Sequence, residues 1–302
     1  MAEIVASEST NAGPLVRSRL YVPGSRPELF EKALRSPADA ITFDLEDSVL
    51  DTCKATARLA IAAALDRARP GSGKTLVVRC NAVGSESFEA DIETVVRAGL
   101  DLLCLPKTET PGEIRYVARR LDLLERTHGM SSSVRLLPTI ETARGMRHAS
   151  RIARADHRIV GLQLGLGDLL GSLGIDRSEQ HAAYVCRLAV RFAAAEAAVA
   201  AYDAAFPGIS DLDGFRIEAR AARRLGYAGK SCIHPAQVQL ANEVFRPTAG
   251  EIAHARRVVS IADAKAREGL GAFVVDGVMV DKPAVEHARA MLRQATQVEQ
   301  DG

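Results

Sequence analysis

The 302-residue chain has no run of about 18 consecutive apolar residues, so no helical membrane span is expected. It also has no excess of one charge. The 39 Lys and Arg face 38 Asp and Glu, for a net charge of +1. That balance leaves no electrostatic footprint for nucleic acid or for an anionic membrane surface. Five cysteines, at 53, 80, 104, 186 and 232, form no C-x-x-C pair, which argues against a structural zinc or a redox dithiol. Cys80 and Cys104 lie in apolar runs and read as buried thiols, in keeping with a reducing compartment, the cytoplasm. The seven histidines show no metal-ligand repeat. Residues 1–16 lack a basic stretch followed by an apolar one, so they read as a flexible tail and not a secretory signal.

Two nucleotide-binding patterns fail as well. Gly71-Ser72-Gly73-Lys74-Thr75 ends like a P-loop, but Ala68 stands where the first glycine should be, and the segment precedes a strand. The stretch Gly165 to Gly171 has one residue too many for a dinucleotide fingerprint.

What the chain does have is alternation. Hydrophobic residues make up 47% and charged residues 25%, an ordinary globular balance. Short apolar runs at 20–22, 40–43, 75–79, 102–105, 134–138, 159–164, 201–206 and 230–233 read as strands. Amphipathic, Ala-rich stretches at 28–34, 52–67, 87–97, 111–127, 142–153, 182–200 and 212–225 read as helices. Eight strands separated by helices predict a (β/α)8 barrel spanning 17–245, with a doubly wound open sheet as the alternative. The seventh strand is the weakest, because its alanines also extend the preceding helix. Phe245-Arg246-Pro247 marks a break. Residues 246–302 then read as an extension, a helix, a glycine-punctuated strand-like segment and a last helix, which could act as a lid or a subunit-exchanging arm.

Candidate chemistry collects at the strand ends, where barrels carry their sites. Asp44-Leu45-Glu46-Asp47 places three acids after the second strand, and such a group is costly to bury without partners. Arg79 closes the third strand and must find an anion. Either Glu46 and Asp47 hold it, or it grips a substrate carboxylate, or both. Lys107 ends the fourth strand and reads as charge-balancing, with a Schiff-base role the alternative. Glu141 and Asp168 end the fifth and sixth strands. Two carboxylates converging without His or Cys suit Mg²⁺, or Mn²⁺, over Zn²⁺. Gly165 and Gly167 beside Asp168 would permit close approach of backbone, metal and bound carbonyl. His234, after the eighth strand, reads as structural, with an acid–base role the alternative. Asp281 precedes Lys282-Pro283 and would cap the last helix unless the extension covers a site.

Taken in order, RSRLYVPG from Arg17, DLEDSV, VVRCN, LPK, IETARG, GLGD, LDGF, GYAGKSCIHPAQ, FRP and DGVMVD to Pro283 resemble the citrate lyase β-subunit family, within the HpcH/HpaI aldolase superfamily. The likeness covers nearly the whole chain. It implies a barrel, a homotrimer or hexamer, bound Mg²⁺, and cleavage or formation of C–C bonds in 3-hydroxyacyl thioesters of coenzyme A or an acyl carrier protein. It implies Glu141 and Asp168 as metal ligands and Arg79 as the holder of the oxo-acid carboxylate. It also implies Glu46 and Asp47 as groups orienting Arg79 and metal-bound water, and Asp281 as an acid reaching a neighbouring subunit's site. Arg19, Arg26 and Lys32 would meet the coenzyme A phosphates. Where many relatives carry Tyr-Ala-Arg, this chain reads Tyr184-Val185-Cys186-Arg187, a departure that bears on acyl or coenzyme A specificity.

The expected reaction is a reversible, metal-assisted cleavage of citryl-, malyl- or citramalyl-CoA to an oxo acid and an acyl-CoA. Rival readings are a coenzyme-A-independent aldolase using pyruvate, a thioesterase or malate-synthase-like enzyme, and a non-catalytic carrier-binding subunit.

Overall fold

In the computed structural model, residues 16–67 and 73–300 are described, the last four by backbone alone. Gly71 and Ser72 of the Gly71–Thr75 segment and residues 1–15 of the expected tail therefore lie outside the described residues. Val16, placed in that tail by the sequence, is buried.

Contacts divide the chain into two compact units, one ending at Phe245 and one starting at Arg246. In the first unit eight parallel strands close in sequence order into a barrel. They are β1 (Ser18–Pro23), β2 (Ala40–Asp44), β3 (Thr75–Arg79), β4 (Leu102–Leu105), β5 (Arg135–Ile140), β6 (Gly161–Leu164), β7 (Ala200–Asp203) and β8 (Gly229–Cys232). Among the described residues nine α-helices join or follow them: α1 (Phe30–Leu34), α2 (Asp51–Arg67), α3 (Phe88–Val95), α4 (Pro111–Thr127), α5 (Ala143–Ala153), α6 (Leu166–Ser172), α7 (Gln180–Glu196), α8 (Leu212–Arg224) and α9 (Pro235–Phe245). The open-sheet alternative is excluded by the pairing of β1 with β8.

Strand parity sorts the side chains. Leu20, Val22, Ile41, Phe43, Leu76, Val78, Leu103, Leu105, Leu162 and Leu164 join one large apolar cluster with helical residues such as Ile61, Leu65, Ile92, Ile114 and Val190. This is the layer between barrel and helices, and it carries most of the hydrophobic stabilisation. The opposite parity faces inward. Ala40, Val77, Leu102 and Cys104, with Tyr202 against them, form a small separate cluster. Above it the interior turns polar, with Arg19, Thr42, Thr139, Gln163 and Ser231 buried.

The elements differ from the sequence expectation at three places. The seventh strand stops at Asp203 instead of Phe206, and the helix before it stops at Glu196 instead of Ala200. Ala198 takes a left-handed φ of 54° there, which breaks the alanine run. Short α6 and α9 were not expected as helices. α6 is interrupted by glycine at 167 and 171, and α9 follows a strand end that reads as a loop.

The second unit contains α10 (Ala249–Arg267), a hairpin of β9 (Phe273–Val275) and β10 (Val278–Val280), and α11 (Lys282–Gln300). Its own core is Ala255, Val258, Val275, Val280 and Ala288. Asp276 and Gly277 make the hairpin turn at φ 51° and 80°, in the form that suits two-residue hairpins. A capping box of Thr248 and Glu251 starts α10. Among the described residues no helix is long and apolar enough to cross a membrane.

Candidate active site

Because all eight strands are parallel, their carboxyl ends open on one face, and the acids of the sequence motifs meet there. In register, the last residue of β2, Asp44, lies opposite the last residue of β3, Arg79. Arg79 donates from Nε to Asp44 Oδ1 at 2.6 Å and from Nη2 to Asp44 Oδ2 at 2.8 Å. The fork fixes the guanidinium plane. Its Nη1 stands 2.8 Å from Glu46 Oε2 and 3.8 Å from Asp47 Oδ2. Asp44 is therefore the orienting acid, where the sequence pointed to Glu46 and Asp47. Burial alone would raise the Asp44 pKa, but the Arg79 pair outweighs it and holds the carboxyl below its ordinary value. Asp44 also accepts from the Glu46 backbone N–H at 3.0 Å, so the loop after β2 is tied to the same carboxylate.

Lys107 follows β4 at a left-handed φ of 48°, a strained conformation for a residue with a Cβ. That backbone turn aims its N–H at Glu141 Oε1, 2.6 Å away. Its Nζ donates to Glu46 and, at 3.2 Å, to Asp47. Burial works against its charge, but the two carboxylates prevail and raise its pKa. The ammonium is thus placed to balance charge, with Glu46 and Asp47 favouring its protonated form over the neutral amine a Schiff base needs.

Glu141 directly follows β5 and is 3% exposed. Its side chain lies against Gly165, where a Cβ would come within 2.2 Å of Oε2. Gly145 is equally required, because a Cβ there would meet the Thr108 carbonyl at 2.4 Å. Burial, then the charges of Glu46 and Asp168, push the Glu141 pKa up to about 8. Asp168 sits in the first turn of α6 and is exposed, as is Gly167. Gly167 has open space where a Cβ would be, so its lack of a side chain answers no contact within the protein. The close approach expected of both glycines belongs to Gly165.

This surplus of buried negative charge suits a cation. Glu141 and Asp168 are two oxygen donors on adjacent strand ends, the hard ligands Mg²⁺ prefers, with further positions left to water and substrate. Among the described residues no group of three or more His, Cys, Asp or Glu forms a cage, which disfavours a closed structural metal site.

Other expected residues stand elsewhere. Arg19 lies inside the barrel, 3% exposed, and not at the mouth where coenzyme A phosphates would be met. Arg26 is solvent-exposed and pairs with Glu28, and Lys32 is exposed on α1. His234 is exposed, and its Nδ1 accepts from the Ala236 N–H at 3.2 Å, at the start of α9. Asp281, in the second unit, caps α11, its Oδ1 accepting from Ala284 N–H at 3.4 Å. Arg187 is committed behind the sheet, with Nε 2.8 Å from Asp203 Oδ1. The departure at 184–187 therefore leaves its arginine in a structural ion-pair network. A cavity of about 340 Å³ lined by Arg115, Arg151 and Arg154 lies among the outer helices and contains none of the strand-end acids.

Comparison with known proteins identifies the family. The model of the HpcH/HpaI aldolase/citrate lyase family matches residues 17–235. The chain is 38% identical to the citrate lyase subunit beta of Escherichia coli K12 over 281 residues, covering 92% of this chain and 93% of the relative. It is 35% identical to an L-malyl-CoA/beta-methylmalyl-CoA lyase of Cereibacter sphaeroides, covering 93% and 95%. Among solved structures, CitE of Mycobacterium tuberculosis, in complex with magnesium, acetoacetate and coenzyme A, superposes with a TM-score of 0.74 at 33% identity. That match covers 94% of this chain and 98% of the other.

Proposed function

The chain belongs to the HpcH/HpaI aldolase/citrate lyase family, and on that premise we propose that it is a Mg²⁺-dependent carbon–carbon lyase. It cleaves, reversibly, a 3-hydroxyacyl thioester of the citryl, malyl or citramalyl type into an oxo acid and an acyl thioester. The observation that carries this reading is the buried Glu141 carboxylate, seated against Gly165 and accepting the Lys107 N–H, with Asp168 at the next strand end. Relatives with coenzyme A thioester lyase names support it, as does a related structure holding magnesium, acetoacetate and coenzyme A.

Glu141 and Asp168 hold the metal. Once bound, Mg²⁺ supplies Lewis-acid polarisation of the substrate oxygen and stabilises negative charge that develops there. Arg79, its Nε–Nη2 edge fixed by Asp44, turns its remaining N–H groups to the oxo-acid carboxylate. Glu46, paired with Arg79 and Lys107, keeps that pair in place and can orient water, while half-exposed Asp47 tethers Lys107. Gly167, exposed beside Asp168 with open space where a Cβ would stand, leaves room for the substrate carbonyl. The acyl enolate left by cleavage needs a proton, and Asp281 from a neighbouring subunit of a homotrimer or hexamer is its donor. Arg26 and Lys32 remain the cations for the coenzyme A phosphates, and the enzyme works in the cytoplasm.

The test is a substrate panel. Malyl-CoA, citramalyl-CoA and citryl-CoA are offered with Mg²⁺, and release of glyoxylate, pyruvate or oxaloacetate is followed. Release from one thioester identifies the acyl group. Turnover of free hydroxy-oxo acids alone would establish the coenzyme-A-independent aldolase instead.

A further inference from the structure

One buried charge is not used by this reaction. Arg19 projects from β1 into the barrel interior, and its Nη2 donates to Tyr21 Oη at 3.0 Å, to Ser231 Oγ at 3.3 Å and to Gln163 Oε1. Gln163 lies on β6, which does not neighbour β1, so this contact spans the interior. All three acceptors are neutral. Nε and Nη1 are buried and have no hydrogen-bond partner, and no ion pair to Arg19 is found among the described residues. A guanidinium does not give up its proton, so the charge is present and enclosed. Such a charge is costly unless opposite charge compensates it.

The compensating charge is one layer up. Arg19 Cζ is 5.4 Å from the centre of the Tyr21 ring, and Arg79 Cζ is 5.2 Å from the same ring. Tyr21 therefore joins the inner arginine to the arginine of the site. Arg19 and the metal-ligand candidate Glu141 are both 3% exposed, so little water lies around either group to screen them. At the strand ends stand five carboxylates, Asp44, Glu46, Asp47, Glu141 and Asp168, and the cations that pair with them among the described residues are Arg79 and Lys107. A divalent cation leaves that set one charge negative, and Arg19 supplies the match.

We infer that Arg19 is a positioning residue that acts by charge, an internal counter-ion that sets how tightly the strand-end carboxylates hold their cation. This rests on the reading of Glu141 and Asp168 as metal ligands. Removing the charge makes the site more negative, and Mg²⁺ binds more tightly. Arg19 and Arg79 lie 5.4 and 5.2 Å from the centre of one ring, so the inner charge is within about 11 Å of the site arginine, and across about that distance, at an effective dielectric constant of about 20, losing a unit charge changes divalent-ion affinity by at least about tenfold.

Mg²⁺ titration calorimetry at fixed ionic strength tests it on the full chain. Arg19→Met is expected to lower the Mg²⁺ Kd about tenfold, and Arg19→Lys, which keeps the charge, to stay within about twofold of the parent. Arg19→Met strands the Gln163 carbonyl, so Arg19→Met with Gln163→Leu repeats the measurement in a layer without that orphan, circular dichroism confirming the fold. Parent-like Kd values in both Met variants would overturn the inference. So would a change in Arg19→Lys equal to that in Arg19→Met, since packing and not charge would then be responsible. No Mg²⁺ binding by the parent protein would instead refute the metal-ligand reading, and this inference with it.

Discussion

At the scale of the residue, the metal site depends on a hydrogen atom. Gly165 leaves the space that the Glu141 carboxylate fills, and a methyl group there would stand 2.2 Å from Oε2. Gly165→Ala must therefore displace the carboxylate. Displacements of this order cost about a hundredfold in turnover. The expected outcome is a loss of about that size with at least tenfold weaker Mg²⁺ binding and an unchanged fold, read by calorimetry and circular dichroism. Lys107 gives a second prediction. Because Glu46 and Asp47 hold its ammonium charged, borohydride treatment with pyruvate or oxaloacetate should leave the intact mass unchanged. A reduced adduct at Lys107 would mean that a neutral amine is available after all. The placement of Arg79, Glu141 and Asp168 at the strand ends was legible in the sequence, because each closes or follows an apolar run in the βα spacing of a barrel. Asp44 was passed over. It reads as one of three acids, and only the β2–β3 register shows that it, and not Glu46, meets the Arg79 fork. Arg19 was misplaced for a related reason. Its parity with Tyr21 and against Leu20 and Val22 was visible and points inward, but that the inner layer is polar depends on Gln163 and Ser231 from distant strands.

At the scale of the element, the barrel is fastened from behind by an ion-pair network. Lys230 of β8 reaches Asp203 of β7 at 2.7 Å and Glu218 of α8 at 2.6 Å, and Arg177 and Arg187 join Glu218. Burial alone would raise the Glu218 pKa, but Lys230 and the arginines prevail and pull it from 4.5 down to about 2. A depressed carboxylate contributes stability that is complete above its unfolded pKa, near 4.5, and is lost as pH falls toward 2. The folded state binds fewer protons through that window, so the sign is fixed. Glu218→Gln should flatten this part of the acid-unfolding curve and cost about 3 kcal/mol at neutral pH, as breaking a buried pair does. Thermal melts between pH 2 and 7 measure both. This network also explains why the seventh strand was hard to read. Asp203 gives that strand an outward charge where the pattern expects an apolar residue, and alanines on both sides suit helix equally well. The long amphipathic helices and the strands with branched residues needed no such context.

At the scale of the whole molecule, the barrel and the C-terminal unit each have a hydrophobic core of their own. Closure of the sheet was legible from eight apolar runs in βα spacing. The use of the extension was not, since Asp281 as a cap and Asp281 as an acid have the same local sequence. If it is the proton donor, Asp281→Asn should lower turnover at least a hundredfold while leaving Mg²⁺ affinity and oligomer mass unchanged, by calorimetry and light scattering. The central claim is that the strand-end carboxylates hold the cation that drives thioester cleavage. Its most direct test is oxo-acid release from the preferred thioester by the parent and by Asp168→Ala, each with EDTA and with Mg²⁺ restored. The account predicts release by the parent that EDTA abolishes and Mg²⁺ restores, and none from Asp168→Ala in any condition. Release that persists in EDTA, or in Asp168→Ala at the parent rate, would contradict it.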